Sequence, residues 1–475
     1  MAIRVPPAAS SSRLDRLALD PALRPIDIAE SFRDLPALVL LESARPGRSA
    51  RWSYLAADPL EVIDRPSGGS DPFTNLRAQL ARMAMGPAGG TGGDRPPFTG
   101  GLVGYLGYDL GRRLERLPSI AVDDQDLPVS CWGLYDWVLA FDRRTGAAWL
   151  GGRVVDGDTA GLDSRLADVR ARLRDLRPRG PVSAAPEPPT ELGFHSGIRR
   201  AEFLDRVESV RDAIARGEIY QANLSRRLET PFDGDPWLLY RRLRTGDPAL
   251  FSGYLDLGVA RAGGPRAVVS ASPEPFLAVS ADGRVTSDPI KGTRPRGTDR
   301  AADRALAREL LASDKDRAEN VMIVDVLRND LGRVCSAGTV RVPRLCRLER
   351  TAAVQHLVST VTGRLAPGRD AFDLLAAAFP GGSITGAPKI RAMELLERLE
   401  PVRRGPYTGS LGWIGPDGAM RTSILIRTFV ADGRRLTLHV GGGVTWRSDP
   451  VAEWDETVAK AAGPLGAIGG HEADR

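Results

Sequence analysis

Lys291 is the residue whose type and surroundings first point to covalent chemistry. The sequence has only four lysines among 65 Lys and Arg residues. Arginine stays protonated near neutral pH, whereas a lysine becomes a neutral nucleophile when burial or nearby cations lower its pKa. Residues 287–297 (SDPIKGTRPRG) are rich in Pro and Gly, so we predict a strand end that runs into a shaped loop. An isolated lysine in a loop is usually solvated, so the chemical interpretation depends on the residues around it.

Two pairs of acidic residues could bind a divalent cation. Asp316 and Glu319 are three residues apart in a helical stretch, and Glu453 and Glu456 have the same spacing near the C-terminus. This spacing puts both carboxylates of a pair on one helix face, where their charges repel each other unless a cation compensates. A magnesium site typically combines one or two carboxylates with water and an anionic substrate. Each pair by itself is also compatible with a solvated helix surface.

Three further features could bind an anion or hold a ring. Residues 441–443 are all glycine at the end of a predicted strand, so a ligand could approach their backbone N–H groups, although a tight bulge explains them nearly as well. Arg427 lies in an apolar strand-like segment, and an arginine that faces inward from a strand needs a carboxylate or another anion. His356 lies inside a predicted strand, where a lone histidine more often has a structural role.

The composition restricts the classes of protein to which the chain can belong. Its 475 residues, 42% apolar and 26% charged, are typical of a globular protein with two or three domains. The net charge of +5 is diffuse, which argues against nucleic-acid binding. Three cysteines without C-x-x-C spacing argue against a disulfide framework or a zinc site. The N-terminus has no apolar signal segment and no apolar run approaches the roughly 20 residues of a membrane span, so we predict a cytoplasmic protein without membrane contact.

The pattern of elements predicts an α+β fold. Short strands with alternating apolar residues are mixed with helices, and no regular βαβ repeat is present. We predict a long helical segment over residues 299–328 and strands over residues 407–415, 420–431 and 435–446.

A Pro-rich segment divides the chain into two predicted domains. The prolines prevent regular structure and keep the segment extended. We therefore predict a linker at residues 179–193, between an N-terminal domain at 14–178 and a C-terminal domain at 194–465.

The C-terminal half contains six ordered motifs, which are PIKGTRPRG at 289–297, AENVMIVDVLRNDLG at 318–332, PGGSITGAPKIRAME at 380–394, ILIR at 424–427, GGGV at 441–444 and SDPVAEWDET at 448–457. Together these motifs resemble the chorismate-utilising enzymes, the family of the anthranilate synthase large subunits and the aminodeoxychorismate synthases. The resemblance implies the fold of anthranilate synthase component I, in which antiparallel sheets pack as a sandwich with helices outside. The N-terminal half resembles the family more loosely.

The resemblance implies a magnesium ion (Mg2+) and a dicarboxylate substrate, chorismate. Glu319 and Glu456 match the residues that bind the metal directly in the family. Asp316 and Glu453 match the carboxylates that hold its water ligands, although Asp316 is shorter than the Glu found in other members. The metal would neutralise the ring carboxylate of chorismate.

The resemblance also assigns residues that bind chorismate. Gly442 and Gly443 would offer backbone N–H groups to the ring carboxylate. Tyr407 and Arg427 match the pair that grips the enolpyruvyl carboxylate. Two residues that line the ring in the family match His356 and Ser383, the second of which is Thr in many relatives.

Two positions distinguish the branches of the family. Gln221 stands where the members that use water carry a basic lysine, which argues against hydroxylation of the ring. The resemblance also counts Gln221 among the residues that bind the substrate. Lys291 lies in PIKGT, the pattern of the aminodeoxychorismate synthases, where anthranilate synthases usually have PIAGT. The resemblance therefore implies that Lys291 attacks ring C2 and that Glu274 is the acid that assists loss of the C4 hydroxyl. The product would be 4-amino-4-deoxychorismate, a precursor of p-aminobenzoate and folate.

Two alternatives and one partner accompany this interpretation. Residues 40–43 (LLES) resemble the segment that binds regulatory tryptophan in anthranilate synthases, so Ser43 is a candidate tryptophan-binding residue and anthranilate synthesis is the alternative activity. A non-catalytic basic binding protein is a remote alternative, because the charge is diffuse and the acidic pairs would then have no purpose. No cysteine has the sequence context of a glutaminase nucleophile, so we expect a separate glutamine amidotransferase to supply ammonia.

Overall fold

Two large β-sheets with helices around them form the fold in a computed structural model of the chain. The mixture of strands and helices is the α+β class that the sequence predicts. The structure describes residues 11–47, 50–85, 94–174, 176, 191–351 and 354–473.

The helices are short to medium in length, and none of those in the described ranges has the length and hydropathy needed to cross a bilayer. The α-helices of these ranges are α1 Pro25–Ala29, α2 Thr74–Ala81, α3 Gly111–Leu114, α4 Thr159–Arg174, α5 Arg200–Ala215, α6 Pro236–Gly246, α7 Arg300–Ala312, α8 Asp314–Gly332, α9 Ala371–Ala378, α10 Lys389–Leu399 and α11 Pro450–Ala467.

The strands pair almost entirely in antiparallel fashion. Those of the first half are β1 Ser12–Leu17, β2 Val39–Glu42, β3 Trp52–Ala56, β4 Glu61–Ile63, β5 Gly101–Leu106, β6 Ser130–Tyr135, β7 Trp137–Asp142 and β8 Ala148–Arg153. Those of the second half are β9 Leu192–Ser196, β10 Gln221–Pro231, β11 Phe251–Val259, β12 Pro265–Ser272, β13 Pro275–Val279, β14 Arg284–Ser287, β15 Ile290–Pro295, β16 Arg341–Arg350, β17 Val354–Arg364, β18 Gly386–Ala387, β19 Ser410–Ile414, β20 Met420–Ile424, β21 Thr428–Asp432, β22 Arg435–Thr445 and β23 Gly470–Glu472.

The strand order separates a larger and a smaller sheet. The larger sheet runs β1-β8-β7-β3-β2-β11-β12-β21-β22-β10-β9-β23, with β18 paired to β10. The smaller sheet runs β15-β17-β14-β13-β20-β19-β5-β6-β4, with β16 paired to β17. The strand that carries Lys291 therefore lies at an edge of the smaller sheet, and the strand that carries the three glycines lies inside the larger one.

One apolar cluster joins the two sheets. Tyr54 and Leu255 of the larger sheet lie in the same buried cluster as Val103, Leu411 and Trp413 of the smaller sheet. Each such side chain contributes about 1.5–3 kcal/mol when it is removed from water. Helices α4 and α6 pack on the larger sheet and helices α8 and α9 on the smaller one, so the arrangement is a sandwich with helices outside.

Both halves of the chain contribute to both sheets. β2 pairs with β11 in the larger sheet, and β5 pairs with β19 in the smaller sheet. Most of the predicted linker lies outside the described residues, and β9 begins within its predicted range at Leu192. The domain boundaries stay a prediction, and the shared sheets mean that neither half completes a sheet by itself.

The predicted helical segment 299–328 is divided into α7 and α8. Ser313 between them has an extended backbone, and its hydroxyl accepts a hydrogen bond from the Asp316 N–H at 3.2 Å. A serine in this position satisfies a free N–H group at a helix start. The break places Asp316 in the first turn of α8 and Glu319 one turn later, at the end of the helix that faces Lys291.

Candidate active site

The end of β22 presents a free backbone edge to the candidate site. β21 pairs with β22 only through residues 436–438, whereas β10 continues to pair through residue 445. Among the described strands, none covers the second edge of the three glycines at 441–443. This edge therefore offers backbone groups without side chains, as the sequence predicts for an anion site.

The glycines are required because side chains approach them from both faces of the sheet. A Cβ at Gly442 would lie 3.1 Å from Glu453 Oε2 and 3.3 Å from Glu456 Oε1. A Cβ at Gly443 would lie only 2.4 Å from Gln221 Nε2. Gly442 thus faces the acidic pair, and Gly443 faces Gln221 on the other side.

Lys291 lies in strand β15 and not in the predicted loop. β15 pairs with β17, and the register shifts between Lys291 and Thr293. Gly292 between them has a φ of +72°, which an L side chain rarely adopts, so glycine makes this bulge possible. The Pro and Gly residues that suggested a loop are tolerated because β15 is an edge strand.

Lys291, Ser383 and Glu274 form one polar cluster. The Lys291 amine donates to the Ser383 carbonyl at 3.4 Å, and the Ser383 hydroxyl donates to Glu274 Oε1 at 3.1 Å. Burial raises the pKa of Glu274, although the positive charge of nearby Lys291 opposes the shift. A carboxyl group with a raised pKa beside an amine is suited to act as a general acid.

The acidic pair of α8 faces the same cluster. Burial raises the pKa of Glu319, and the charges of Asp316 and Glu456 add to the shift while Lys291 and Lys315 oppose it. Glu319 Oε1 is buried without a hydrogen-bond partner. Asp316 is already engaged, because Arg294 donates to its Oδ2 at 3.3 Å.

The acidic pair of α11 approaches from the other side. Glu453 is buried and accepts a hydrogen bond from the Ser448 hydroxyl at 2.6 Å. Burial, with the charge of Glu456, raises the pKa of Glu453. Burial would also raise the pKa of Glu456, but Lys460 and more distant lysines outweigh it and lower that pKa.

Sequence reasoning missed Lys460 as a residue of the site. It lies between the acidic pair of α11 and the glycines of β22. Its amine contacts Glu456 Oε1 at 2.7 Å and donates to the Gly441 carbonyl at 2.8 Å. It thereby links α11 to the free edge of β22. The i, i+4 spacing to Glu456 and the scarcity of lysine were the available signals.

The four predicted metal-binding carboxylates suit a hard cation in type. Glu319 Oε1 is buried without a hydrogen-bond partner, lies 4.0 Å from the Lys315 amine and faces Glu456. Glu319 and Glu456 each have a second carboxylate one helical turn away. In this conformation no group of three or more His, Cys, Asp and Glu among the described residues is close enough to enclose a metal ion. In this structure the positive charge near the carboxylates comes from Lys315 and Lys460. Carboxylate oxygens are the ligands that magnesium prefers, so the residues fit the ion, and magnesium binding stays a prediction.

Gln221 is fully buried at the start of β10. Neither its amide nitrogen nor its amide oxygen has a hydrogen-bond partner within the described structure. A buried amide without partners costs free energy, so this side chain is poised to bind a polar ligand group. Its amide lies beside Gly443, and a role of Gln221 in substrate binding stays a prediction.

His356 lies in β17 as predicted, beside the strand of Lys291. Its Nδ1 is 3.0 Å from the Thr293 hydroxyl. Burial, together with the charges of Arg45 and Arg427, lowers the pKa of His356 to about 4. The ring is therefore neutral near pH 7 and can line a ring or exchange hydrogen bonds without adding charge.

Tyr407 is buried in a stack of side chains. Its ring lies face to face with His439 at 5.0 Å, and the Arg404 guanidinium lies 5.7 Å from its centroid. The side chain of Asn223 forms a hydrogen bond with Tyr407. Burial raises the pKa of Tyr407 to about 12, so the hydroxyl stays protonated as a donor. Sequence reasoning identified Tyr407 but neither His439 nor Asn223.

The interpretation of Arg427 as an inward-facing strand residue is wrong. The predicted strand 420–431 is interrupted between β20 and β21, and Arg427 in the gap has a φ of +49°. Its side chain is 44% exposed and lies 3.5 Å from Asp247. In the gap, the Leu425 carbonyl accepts a hydrogen bond from the Thr408 N–H at 2.7 Å. Arg427 lies near Arg45, Asp247 and His356.

Ser43 lies away from this cluster, in a cavity between the sheets. Its hydroxyl donates to the Trp52 carbonyl at 3.2 Å. The cavity is about 60 Å³, far below the roughly 300 Å³ of a small-molecule pocket, and Arg421 lines it with its guanidinium 5.3 Å from the Phe251 ring. Tryptophan binding at Ser43 stays a prediction.

Comparisons with known proteins identify the family of the chain. A family model described as chorismate binding enzyme matches residues 39–466. Anthranilate synthase component 1 of Streptomyces coelicolor is 44% identical over 446 residues, 91% of this chain and 84% of the relative. Aminodeoxychorismate synthase component 1 of Salmonella typhimurium is 42% identical over 427 residues, 86% of this chain and 88% of the relative.

A solved structure shows the same architecture. Anthranilate synthase component I from Streptococcus pneumoniae superposes with a TM-score of 0.76 at 30% identity, over 88% of this chain and 93% of that one. This likeness confirms the predicted fold class. The relatives carry two different names at similar identity, so similarity alone does not separate the two products.

Proposed function

The chain belongs to the chorismate-binding enzymes, and from that premise we propose that it is the synthase component of an aminodeoxychorismate synthase. In this function it converts chorismate and ammonia to 4-amino-4-deoxychorismate and water, for p-aminobenzoate and folate synthesis. The observation that carries the proposal is the cluster of Lys291, Ser383 and Glu274, which combines an amine with a protonatable carboxyl group. An amine at this position provides a nucleophile that the PIAGT pattern of anthranilate synthases lacks.

The proposed chemistry proceeds through two displacements on the ring. The unprotonated Lys291 amine forms a bond to C2, both ring double bonds shift, and the C4–oxygen bond breaks. Ammonia then forms a bond to C4, both double bonds shift back, and the C2–Lys291 bond breaks, which releases the amine. The new C4 ammonium group loses one proton, which restores the protonated acid, so the enzyme is regenerated. Every atom of the released water comes from the C4 hydroxyl and one proton.

Glu274 supplies that proton in the proposed mechanism. Its raised pKa keeps a fraction of the carboxyl groups protonated at a pH where an exposed glutamate is ionised. The hydrogen bond from Ser383 fixes the orientation of the carboxyl group. Protonation of the departing hydroxyl by a positioned acid typically contributes about 10²–10⁴ in rate.

The acidic pairs are the proposed magnesium site. Glu319 and Glu456 would bind the ion directly, and Asp316 and Glu453 would hold its water ligands. The ion, when bound, neutralises the ring carboxylate of chorismate. The ion would replace Lys460 as the partner of Glu456. The Lys460 amine would then be free to bind the ring carboxylate together with the backbone at the glycines.

The remaining polar residues are proposed to bind the substrate. Gly442 and Gly443 offer the free backbone edge of β22, and Gln221 offers its unpaired amide. His356 and Ser383 line the ring. Tyr407 and Arg427 recognise the enolpyruvyl carboxylate from separate surroundings, Tyr407 from its buried stack and Arg427 from its exposed position beside Asp247.

A glutamine amidotransferase is the proposed partner. The relatives are named component 1, which designates one part of a two-component enzyme. Ammonia released by the partner from glutamine would reach ring C4 in the site described above. We also propose that the enzyme acts in the cytoplasm.

Anthranilate synthesis is the second candidate function. It is favoured by the similarity to the Streptomyces coelicolor relative and by the LLES segment at residues 40–43. In that reaction ammonia adds at ring C2 and Lys291 has no covalent role. The two functions share the metal and substrate residues and differ in what occupies C2.

Identification of the product tests the proposal. The purified protein is incubated with chorismate, ammonium and magnesium, and the products are separated and identified by mass spectrometry. We expect 4-amino-4-deoxychorismate, which an added lyase converts to p-aminobenzoate. Accumulation of anthranilate would contradict the proposal and support the second candidate, and omission of magnesium serves as the control.

A further inference from the structure

His439 is a buried histidine that borders the glycines of β22. It lies directly opposite Arg227 in the register of β10 and β22. Side chains alternate along a strand, so His439 shares a face with Gly441 and Gly443, the face on which Gln221 lies. His439 is therefore the nearest side chain on the N-terminal side of the space that these glycines leave open.

The ring of His439 contacts the ring of Tyr407 face to face. The two centroids are 5.0 Å apart and the planes are inclined by only 19°. Tyr407 also lies beside Arg404, whose guanidinium donates to the Asn223 carbonyl at 2.5 Å. Asn223 in turn forms a hydrogen bond with Tyr407, so the Tyr407 ring is held at its face and at its hydroxyl.

The imidazole of His439 acts through its face and not through its nitrogen atoms. Neither Nδ1 nor Nε2 has a hydrogen-bond partner among the described residues, and the side chain is only 5% exposed. A buried histidine with a structural hydrogen-bonding role would have at least one nitrogen engaged. The contact that remains is the stack on Tyr407, and stacked aromatic pairs stabilise each other beyond the area that they bury.

The charges around His439 keep the ring neutral. Burial lowers its pKa well below the ordinary value, and Arg227, Arg404 and Arg435 lower it further, while Asp124 alone opposes them. A protonated ring would place a fourth cation beside these arginines. The neutral ring instead packs against Tyr407 while Arg404 lies over the same tyrosine.

We propose that His439 is a positioning residue that fixes the ring plane of Tyr407 for recognition of the enolpyruvyl carboxylate. The inference rests on the proposed function, because Tyr407 is assigned to the substrate there. The stack holds the phenol ring from one side, and the hydrogen bond with Asn223 holds its hydroxyl. Loss of the flat face lets the ring rotate and weakens the substrate complex without removing a reacting group.

Kinetics of two His439 variants test the proposal. His439→Leu removes the flat face, whereas His439→Phe keeps it and removes both nitrogens. We expect His439→Leu to raise the KM for chorismate about fivefold with kcat within about twofold of the unsubstituted enzyme, and His439→Phe to restore the KM. His195→Leu, on an exposed residue of β9, is the matched control.

A double substitution separates positioning of Tyr407 from a general effect on folding. In the Tyr407→Leu background, His439→Leu should have no additional effect on KM. Equal KM values for His439→Leu and the unsubstituted enzyme, equal impairment of the Phe and Leu variants, or additive effects in the double variant would each overturn the inference. If His439→Leu does not fold, His439→Asn takes its place under the same criteria. Absence of any chorismate turnover by the unsubstituted enzyme would contradict the proposed function instead.

Discussion

The candidate active site and the Ser43 cavity each place carboxylates beside basic side chains, but the charges are balanced differently. In the cavity region, Glu42 accepts two hydrogen bonds from Arg244, both at 2.7 Å, and a third from Tyr240 at 3.2 Å. In the candidate active site, Glu319 Oε1 has no hydrogen-bond partner, and burial raises the pKa values of Glu274, Glu319 and Glu453.

This difference distinguishes a structural ion pair from a binding site. A buried carboxylate with both oxygens hydrogen-bonded to a charged partner holds neighbouring elements together, and Glu42 joins β2 to α6 in this way. Carboxylates left incompletely paired are costly, and proteins keep them where a ligand completes them. Substitutions in the two regions should therefore affect different measurements, activity in one and stability in the other.

The largest expected effect is the loss of activity on substitution of Lys291. Lys291→Arg keeps the positive charge but cannot provide a neutral amine, so 4-amino-4-deoxychorismate formation should fall at least about 10³-fold, as for loss of a nucleophile. Mass spectrometry of the enzyme trapped with chorismate should show an adduct in the unsubstituted protein and none in the variant. If the variant turns over chorismate near the rate of the unsubstituted enzyme, Lys291 has no covalent role. The expected difference between the two regions in their effect on activity would then be smaller.

A smaller effect is expected at the proposed metal site. Glu456→Gln removes one carboxylate charge from the face of Gly442, and it should weaken magnesium binding at least about 10-fold. Calorimetric titration with magnesium measures this directly, and activity measured against magnesium concentration should shift in parallel. Asp455→Asn removes the same charge from the neighbouring exposed position and should leave both measurements unchanged. Unaltered magnesium affinity of Glu456→Gln would rule out direct ligation.

The smallest effect, and one on stability alone, is expected near Ser43. Glu42→Gln leaves Arg244 without its charged partner in a buried position, which should cost about 2 kcal/mol. Because a chain of this size has a large unfolding entropy, the corresponding fall in Tm is only about 2 °C. Calorimetric scans measure this shift, and kcat for chorismate should stay within about twofold. A large loss of kcat at unchanged Tm would show that the two regions are coupled.

The sequence predicted most of the elements and most members of the candidate site. The strand predicted over residues 435–446 corresponds to β22, which carries the glycines at 441–443. Lys291 and Arg427 differ from prediction for one common reason. Local composition does not show how a segment pairs in a sheet. The edge strand β15 tolerates the prolines near Lys291, and the apolar run before Arg427 is divided between β20 and β21.

The sequence by itself determined the chemical groups of this protein. Residue types and spacing provided an amine, paired carboxylates and a run of glycines, and their order along the chain was sufficient to identify the resemblance to chorismate-utilising enzymes. Only the tertiary structure decided which groups meet. It brought Ser383 between Lys291 and Glu274, Lys460 beside Glu456, and His439 onto Tyr407, because sheet pairing joins segments that are far apart in the chain. The same pairing placed Ser43 in a separate cavity between the two sheets.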